Sequence, residues 1–483
     1  MDPDADAAYL ALKARDARFD GRLFVGVTST GVYCRPVCRV RTPLRRNCRF
    51  FGSAAQAEAA GFRPCLKCRP ELAPGLSAMD SSRALAGAAM RTLEHAVAGG
   101  VDIRMAQVAT RLGVSDRHLR RIFHAVHGVS PHDYLTTQRL LLAKRLLTDT
   151  AAPITQVAID SGFASLRRFN AAFAQRYRMP PSRLRREGAA APSAPGPTLR
   201  LAWRPPYDVA AVLAFLARRQ VPGVEQREGL EWRRTLALGH GRRRCSGWLV
   251  ARFAPERHEV HLQVAPSLAP ALGAVIERVR HGLDLDADPA AVDPVLQRLP
   301  LPPRPGVRVP GAFDGFEGAV RAVLGQQVSV AAARTLTQRL VERFGTPVQT
   351  PFAGLTQAFP AARALATADR GDLGRLGIVA QRVRAVQALA TAVAEGRLDL
   401  SRAAPLEPTL AALRALPGVG EWTAQVIAMR VLGWPDAWPA GDAGLMKALG
   451  RRDAAHIDTL AQAWRPWRAY AAMRLWQHAE PTP

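Results

Sequence analysis

The sequence predicts a multidomain α+β protein. In chain order it reads as a small cysteine-rich zinc domain, an all-α tandem helix-turn-helix domain, a small antiparallel α/β domain, and an all-α C-terminal domain around a helix-hairpin-helix. Three observations carry this. Five of the six cysteines precede residue 69. Residues 105–131 and 154–185 repeat one helical layout. Strand-like runs such as WLVARFA and HEVHLQVA fall between 199 and 283, after which Ala/Leu/Arg-rich helical patterns dominate.

At 483 residues the chain is too long for one ordinary domain, and 48% apolar residues are enough for packed cores. Lys and Arg outnumber Asp and Glu by 66 to 40, a net charge of +26. The surplus is spread along the chain: 13 basic against 7 acidic residues over 1–75, 17 against 8 over 76–190, and 36 against 25 beyond. Such a balance attracts polyanions, nucleic acid above all; a general enrichment in arginine is the competing explanation. The N-terminus lacks the basic and apolar regions of a signal peptide, and nothing approaches 18 uninterrupted apolar residues. No membrane association and a reducing, cytoplasmic setting are therefore expected.

The domains are expected at 1–75 (cysteine module), 83–187 (short amphipathic helices), 199–283 (strands mixed with helices) and 284–483 (helices). The low-complexity stretch EGAAAPSAPGP, residues 187–197, marks a linker placed at 188–198.

Cys34 and Cys38 are separated by three residues, and Cys65 and Cys68 by two. Two short-spaced pairs on separate loops can offer four thiolates to one Zn2+, as a structural site requires; four unrelated buried cysteines are the alternative. The flanking residues, TGVYCRPVCRVR (30–41) and AAGFRPCLKCRPE (59–71), resemble the N-terminal domain of the Ada adaptive-response family. The resemblance implies that Cys34 accepts a methyl group from a DNA methylphosphotriester and that Cys34, Cys38, Cys65 and Cys68 hold one zinc, both structural and reactive. Methylation removes one negative charge beside Arg35, Arg39, Arg45 and Arg46, the arginines expected to meet DNA phosphates. Cys48 and Cys245 lack partners at ligand spacing and read as ordinary thiols.

MAQVATRLGVSDRHLRRIFHAVHGVSP (105–131) has a helix, a turn at Gly113-Val114-Ser115, and a second helix displaying Arg117, His118 and Arg121. ITQVAIDSGFASLRRFNAAFAQRYRMPPSRLR (154–185) repeats this with a turn at Gly162 and Arg167, Arg168 and Asn170 beyond it. A turn glycine between a short helix and an Arg-rich one suits a recognition helix in a major groove. The pair resembles the AraC/XylS family, which implies that these six residues contact bases or phosphates; surface ion pairing is the competing role for each.

LPGVGEWTA (416–424) carries a helix-hairpin-helix signature. Gly418 and Gly420 let backbone N–H groups approach a DNA phosphate, often through a monovalent cation. A Gly/Pro-rich loop follows (433–441), then Asp442 at the head of DAGLMKALG. This resembles the helix-hairpin-helix, Gly/Pro, Asp glycosylase superfamily, which implies that Asp442 is the catalytic carboxylate; helix capping is the simpler role and can coexist with it. Trp422 stands where strand-cleaving relatives carry a lysine nucleophile, so a monofunctional enzyme is expected.

LAWRPPYDVAAVLAFLARR (201–219), RAVLGQQVSVAAARTLT (321–337) and AWRPWRAYAAMRLW (463–476) resemble the 3-methyladenine DNA glycosylase II (AlkA-type) family over about 199–478. The resemblance implies that Phe215, Trp422 and Trp476 stack on a flipped alkylated base, core packing being the alternative. Two positions depart from the family pattern: Val426 replaces a pocket tyrosine, and Gln327 replaces the leucine wedged into the DNA gap. N-alkylation makes a purine a cationic leaving group, so Asp442 need only stabilise the oxocarbenium-like sugar or position water, leaving an abasic site.

The expectation for the whole chain is alkylation repair joined to adaptive-response regulation. Its partners would be alkylated double-stranded DNA, promoter DNA and RNA polymerase, with the protein monomeric and nucleoid-associated. A regulator whose C-terminal region binds damage without catalysis is the alternative. Repair of O6-methylguanine is not expected, because no Pro-Cys-His-Arg motif is present.

Overall fold

The computed structural model describes residues 5–15, 23–52, 54–70, 78–99, 103–149, 152–188, 198–240, 243–450 and 453–479. The linker expected at 188–198 lies almost wholly outside them. The chain forms two compact units, residues 1–90 with 104–134, and residues 91–103 with 135–483.

In the first unit, β1 (Phe24–Val27), β2 (Val32–Cys34), β3 (Cys48–Phe51) and β4 (Arg63–Pro64) form a sheet in the order β3-β1-β2-β4. Its core is Phe24, Tyr33, Phe51, Ala57 and Phe62, a small set for independent stability. Gly26 sits where any Cβ would come within 2.9 Å of the Phe51 and Phe62 rings, so glycine is what lets both rings close over β1. The same unit holds the helices Met105–Arg111 and Asp116–His127. Gly113 turns the chain between them with a φ of +66°, which favours glycine. Ser115 caps the second helix by accepting the His118 N–H at 3.2 Å. Leu119, Ile122 and Phe123 bury one face of that helix, which leaves the basic side chains on the other.

The second unit repeats this layout in the helices Ile154–Asp160 and Leu166–Tyr177. Gly162 has a φ of +82°, and Ser165 accepts the Arg168 N–H. Beyond the linker, β5 (Thr198–Ala202), β6 (Glu225–Glu228), β7 (Glu231–His240), β8 (Arg243–Ala254) and β9 (Glu259–Val264) form an antiparallel sheet in the order β5-β9-β8-β7-β6. The alternation in β9 is strict: Val260, Leu262 and Val264 are buried while Glu259, His261 and Gln263 are partly exposed, as a sheet with one packed face requires. From Leu272 onward the described chain is helical apart from one two-residue strand pair. Among the described residues no helix is long and apolar enough to cross a membrane.

Candidate functional site

The parallel register of β2 with β4 pairs Tyr33 with Pro64, so the next residues, Cys34 and Cys65, leave their strands side by side. Turns closed by Cys38 N–H to Arg35 C=O (3.1 Å) and Arg69 N–H to Cys65 C=O (2.9 Å) bring in Cys38 and Cys68. The four sulfurs lie within 4.8 Å of one another, and all four residues are buried. The Arg35 N–H donates to Cys68 Sγ at 3.5 Å, a bond that helps carry sulfur charge.

The donor set fits a tetrahedral Zn2+, whose thiolates at about 2.3 Å from the metal stand close to 4 Å apart. Left to themselves the thiols compete for protons. The hydrogen bond to Cys38, then that to Cys68, holds the Cys34 thiol well above the usual range, while the hydrogen bonds of Cys38 to Cys34, then to Cys68, hold Cys38 far below it. Cys48 stands apart, its thiol donating to the Leu44 C=O at 3.4 Å and pushed up by burial; Cys245 is also free.

Among the arginines expected to face DNA, Arg39 and Arg46 are exposed. Arg45 is partly spent on an ion pair with Asp6 at 3.0 Å, its guanidinium stacked over Tyr9 and Phe50. Arg35 requires a correction: it is 1% exposed, in the wall of the cysteine module, and presents nothing to a phosphate. It opens the turn that carries Cys38 in beside Cys34, where Pro36, Val37 and Cys38 are buried as well.

Arg117 and Arg121 are exposed on the first recognition-type helix, and Arg121 meets the His118 ring at 2.9 Å. Arg167, Arg168 and Asn170 are exposed on the second.

A cleft of about 560 Å³ opens between the sheet domain and the helical C-terminal domain, and Phe215, Trp422, Trp476 and Asp442 all line it. Asp442 caps the helix Ala443–Ala448, its Oδ1 accepting the Leu445 N–H at 3.0 Å. The indole of Trp476 donates to the same oxygen at 2.8 Å, and that of Trp422 donates to Oδ2 at 2.9 Å. Capping and a cleft-facing carboxylate therefore coexist, and both tryptophans hold the carboxylate by their edges. At Gly444 a Cβ would lie 3.0 Å from both Asp442 Oδ1 and Trp476 Cδ1, so this glycine admits the indole.

Phe215 is only 1% exposed, and the Arg219 guanidinium lies 3.8 Å from its ring centroid. It forms wall, already engaged by a cation.

The hairpin lies between the helices Leu406–Arg414 and Glu421–Arg430. Gly418 has a φ of +77°, and its C=O accepts from Gln326 Nε2 at 2.8 Å. Gly420 N-caps the second helix from an exposed position. Gln327 is exposed and holds a φ of +51°, a strained geometry of the kind kept at functional positions.

Sequence reasoning missed a charge network in the cleft wall. Arg234 and Arg321 each bind both Glu225 and Glu317, at 2.6 to 3.1 Å. Arg430 lies beside them, 5.0 Å over Phe215. A periodic signal could have found Arg430: Trp422, Val426 and Arg430 recur every fourth residue on one helix, and all three line the cleft.

Comparison with known proteins agrees with this layout. Family models match for the metal-binding domain of Ada (7–71), a helix-turn-helix domain (108–187), the AlkA N-terminal domain (198–314) and the HhH-GPD superfamily of base excision DNA repair proteins (320–468). A probable bifunctional transcriptional activator/DNA repair enzyme AlkA of Mycobacterium tuberculosis is 40% identical over 99% of this chain and 97% of its own length. DNA-3-methyladenine glycosylase 2 of Escherichia coli is 36% identical over 57% of this chain and 95% of its own. The bifunctional transcriptional activator/DNA repair enzyme Ada of Escherichia coli is 34% identical over 33% of this chain and 42% of its own. With near-complete coverage on both sides at 40% identity, the chain belongs to the family of bifunctional transcriptional activator/DNA repair enzymes of the AlkA type.

Proposed function

We propose that the protein repairs alkylated DNA in two ways and uses one of them to regulate transcription. The observation that carries the first is the carboxylate of Asp442, fixed by Trp422, Trp476 and Leu445 at the wall of the cleft. An extruded N-alkylpurine enters the cleft against the tryptophans. Its glycosidic bond breaks with the electron pair leaving on the base, while Asp442 faces the cationic sugar. Water adds to the anomeric carbon, and an abasic site remains. Three preset donors hold the carboxylate, so little reorganisation is needed at the moment of reaction. Trp422 in the position of a lyase lysine makes this a monofunctional glycosylase. The hairpin backbone at Gly418 and Gly420 binds a phosphate, through a monovalent cation, and Gln327 enters the gap left by the base.

The second activity resides in the cysteine module. Cys34, Cys38, Cys65 and Cys68 would hold Zn2+, which keeps bound thiolates deprotonated at neutral pH. Cys34 Sγ attacks the methyl carbon of a methylphosphotriester; an S–C bond forms, the C–O bond breaks, and the phosphodiester leaves as an anion. The loss of one negative charge beside Arg39 and Arg46 raises affinity for DNA. Arg117, His118, Arg121, Arg167, Arg168 and Asn170 read promoter DNA, and RNA polymerase is the partner in activation. The protein acts as a cytoplasmic, nucleoid-associated monomer.

Incubation with methyl-labelled alkylated DNA tests both activities at once. Wild type should place label on protein and release free bases. Cys34→Ala should abolish only the first, and Asp442→Asn only the second. Label transfer by Cys34→Ala, or undiminished base release by Asp442→Asn, refutes the corresponding half.

A further inference from the structure

The cleft wall is more cationic than a pocket for a cationic base should be. Glu225 Oε1 and Glu317 Oε2 go to Arg234 at 3.1 and 2.6 Å; Glu225 Oε2 and Glu317 Oε1 go to Arg321 at 3.0 and 2.9 Å. Two carboxylates and two guanidiniums thus close a balanced box. Arg430 stands outside it. Its Nε donates to the Pro310 C=O at 3.1 Å, and among the described residues its Nη nitrogens have neither a carboxylate nor any other acceptor. Burial, then the nearby charges of Arg219 and Arg321, pushes Arg430 below the usual arginine range, and the carboxylates of Glu225 and Glu317 offset this only in part. The ring of Phe215, one of the three aromatic side chains of the cleft, already carries the guanidiniums of Arg219 at 3.8 Å and Arg430 at 5.0 Å.

We propose that Arg430 is a specificity-determining residue of the base pocket. Its Nη groups donate to a carbonyl or ring-nitrogen acceptor on the edge of the extruded base, which extends excision to uncharged lesions bearing an acceptor edge. The proposal rests on the glycosylase reading above. Its chemical basis is the difference between leaving groups. A cationic N-alkylpurine departs neutral and needs no donor on its far edge; Arg430 only repels it on entry. An uncharged base takes the electron pair of the broken C1′–N bond and becomes anionic before it accepts the proton released by the attacking water. A fixed cationic donor on the carbonyl stabilises that charge as it develops. The site therefore divides its work: Asp442 stabilises the sugar for every substrate, and Arg430 stabilises the departing base only where the base needs it.

The test measures single-turnover excision of hypoxanthine, an uncharged carbonyl-bearing base, and of cationic 7-methylguanine from otherwise identical duplexes. The full-length wild type is compared with Arg430→Met and Arg430→Lys. The hypoxanthine-to-7-methylguanine ratio should fall on the order of 100-fold in Arg430→Met and recover in part in Arg430→Lys, which keeps the charge but not the forked donors. Excision of 7-methylguanine by the same variants reports whether the pocket still folds. A parallel loss of both activities in Arg430→Met, or a ratio in Arg430→Met unchanged from wild type, overturns the proposal. Failure of wild type to excise either base would instead overturn the glycosylase reading.

Discussion

Asp442→Asn is the sharpest probe of the cleft because the structure sets two effects against each other. The carboxylate accepts three N–H groups: Leu445 and Trp476 at Oδ1, and Trp422 at Oδ2. An amide offers one acceptor oxygen. With the oxygen kept at the Oδ1 position, the helix cap and the Trp476 bond survive, but the NH2 then faces the indole N–H of Trp422 at the former 2.9 Å contact. Two donors in contact displace the indole and leave a partly buried N–H unsatisfied, which costs about 1–3 kcal/mol of stability. Separately, loss of the charge facing the sugar should cost roughly 3–4 kcal/mol of barrier, about 100- to 1000-fold in rate.

The two effects separate in a double-mutant cycle. Trp422→Phe removes the orphaned donor, so Asp442→Asn should destabilise the Trp422→Phe protein less than wild type, by a coupling of about 1–2 kcal/mol. Excision should not recover in the double variant, since the charge is still missing. The readouts are denaturant midpoints and single-turnover base release from 7-methylguanine duplexes. Near-normal excision by Asp442→Asn refutes the catalytic role, and additive stability losses refute the indole–carboxylate bond as drawn.

Three further outcomes follow from the geometry. Replacing Cys38, Cys65 or Cys68 by Ser should release the zinc and unfold the small sheet, because its apolar core is minor; circular dichroism and metal analysis with and without chelator would check this, and a folded metal-free module would refute it. Gly418→Ala forces a Cβ into a φ of +77° and to 3.1 Å from Ala385 Cβ, so it should cost about 1–2 kcal/mol and weaken binding to damaged and undamaged DNA alike, by denaturation and gel shift. Burial, then the charge of Arg402, lowers His281 from 6.5 to about 4. Because its folded value lies below the unfolded one, its contribution is intact above pH 6.5 and lost as pH falls toward 4, on the order of 3 kcal/mol in all. His281→Gln should flatten the denaturation midpoint across that window, and an unchanged slope would count against it.

The sequence alone determined the order of modules, because the signals involved are local. Cysteine spacing, a glycine turn between short helices, and Leu-Pro-Gly-Val-Gly before a helix are set by neighbouring residues and survive without knowledge of the fold. Asp442, Trp422 and Trp476 were legible too, through motif resemblance and position. What needed tertiary structure was every role set by partners distant in sequence. Arg35 and Arg39 look equivalent in the chain, yet one is buried and the other exposed, since burial depends on how β2 packs. Phe215 reads as a bare aromatic until Arg219 and Arg430 are found over its ring. Glu225, Arg234, Glu317 and Arg321 are spread over 97 positions, and only their convergence shows that they neutralise one another while Arg430, among the described residues, has no carboxylate in ion-pair contact. Charge compensation is a property of distances in space, and no pattern along the chain encodes it.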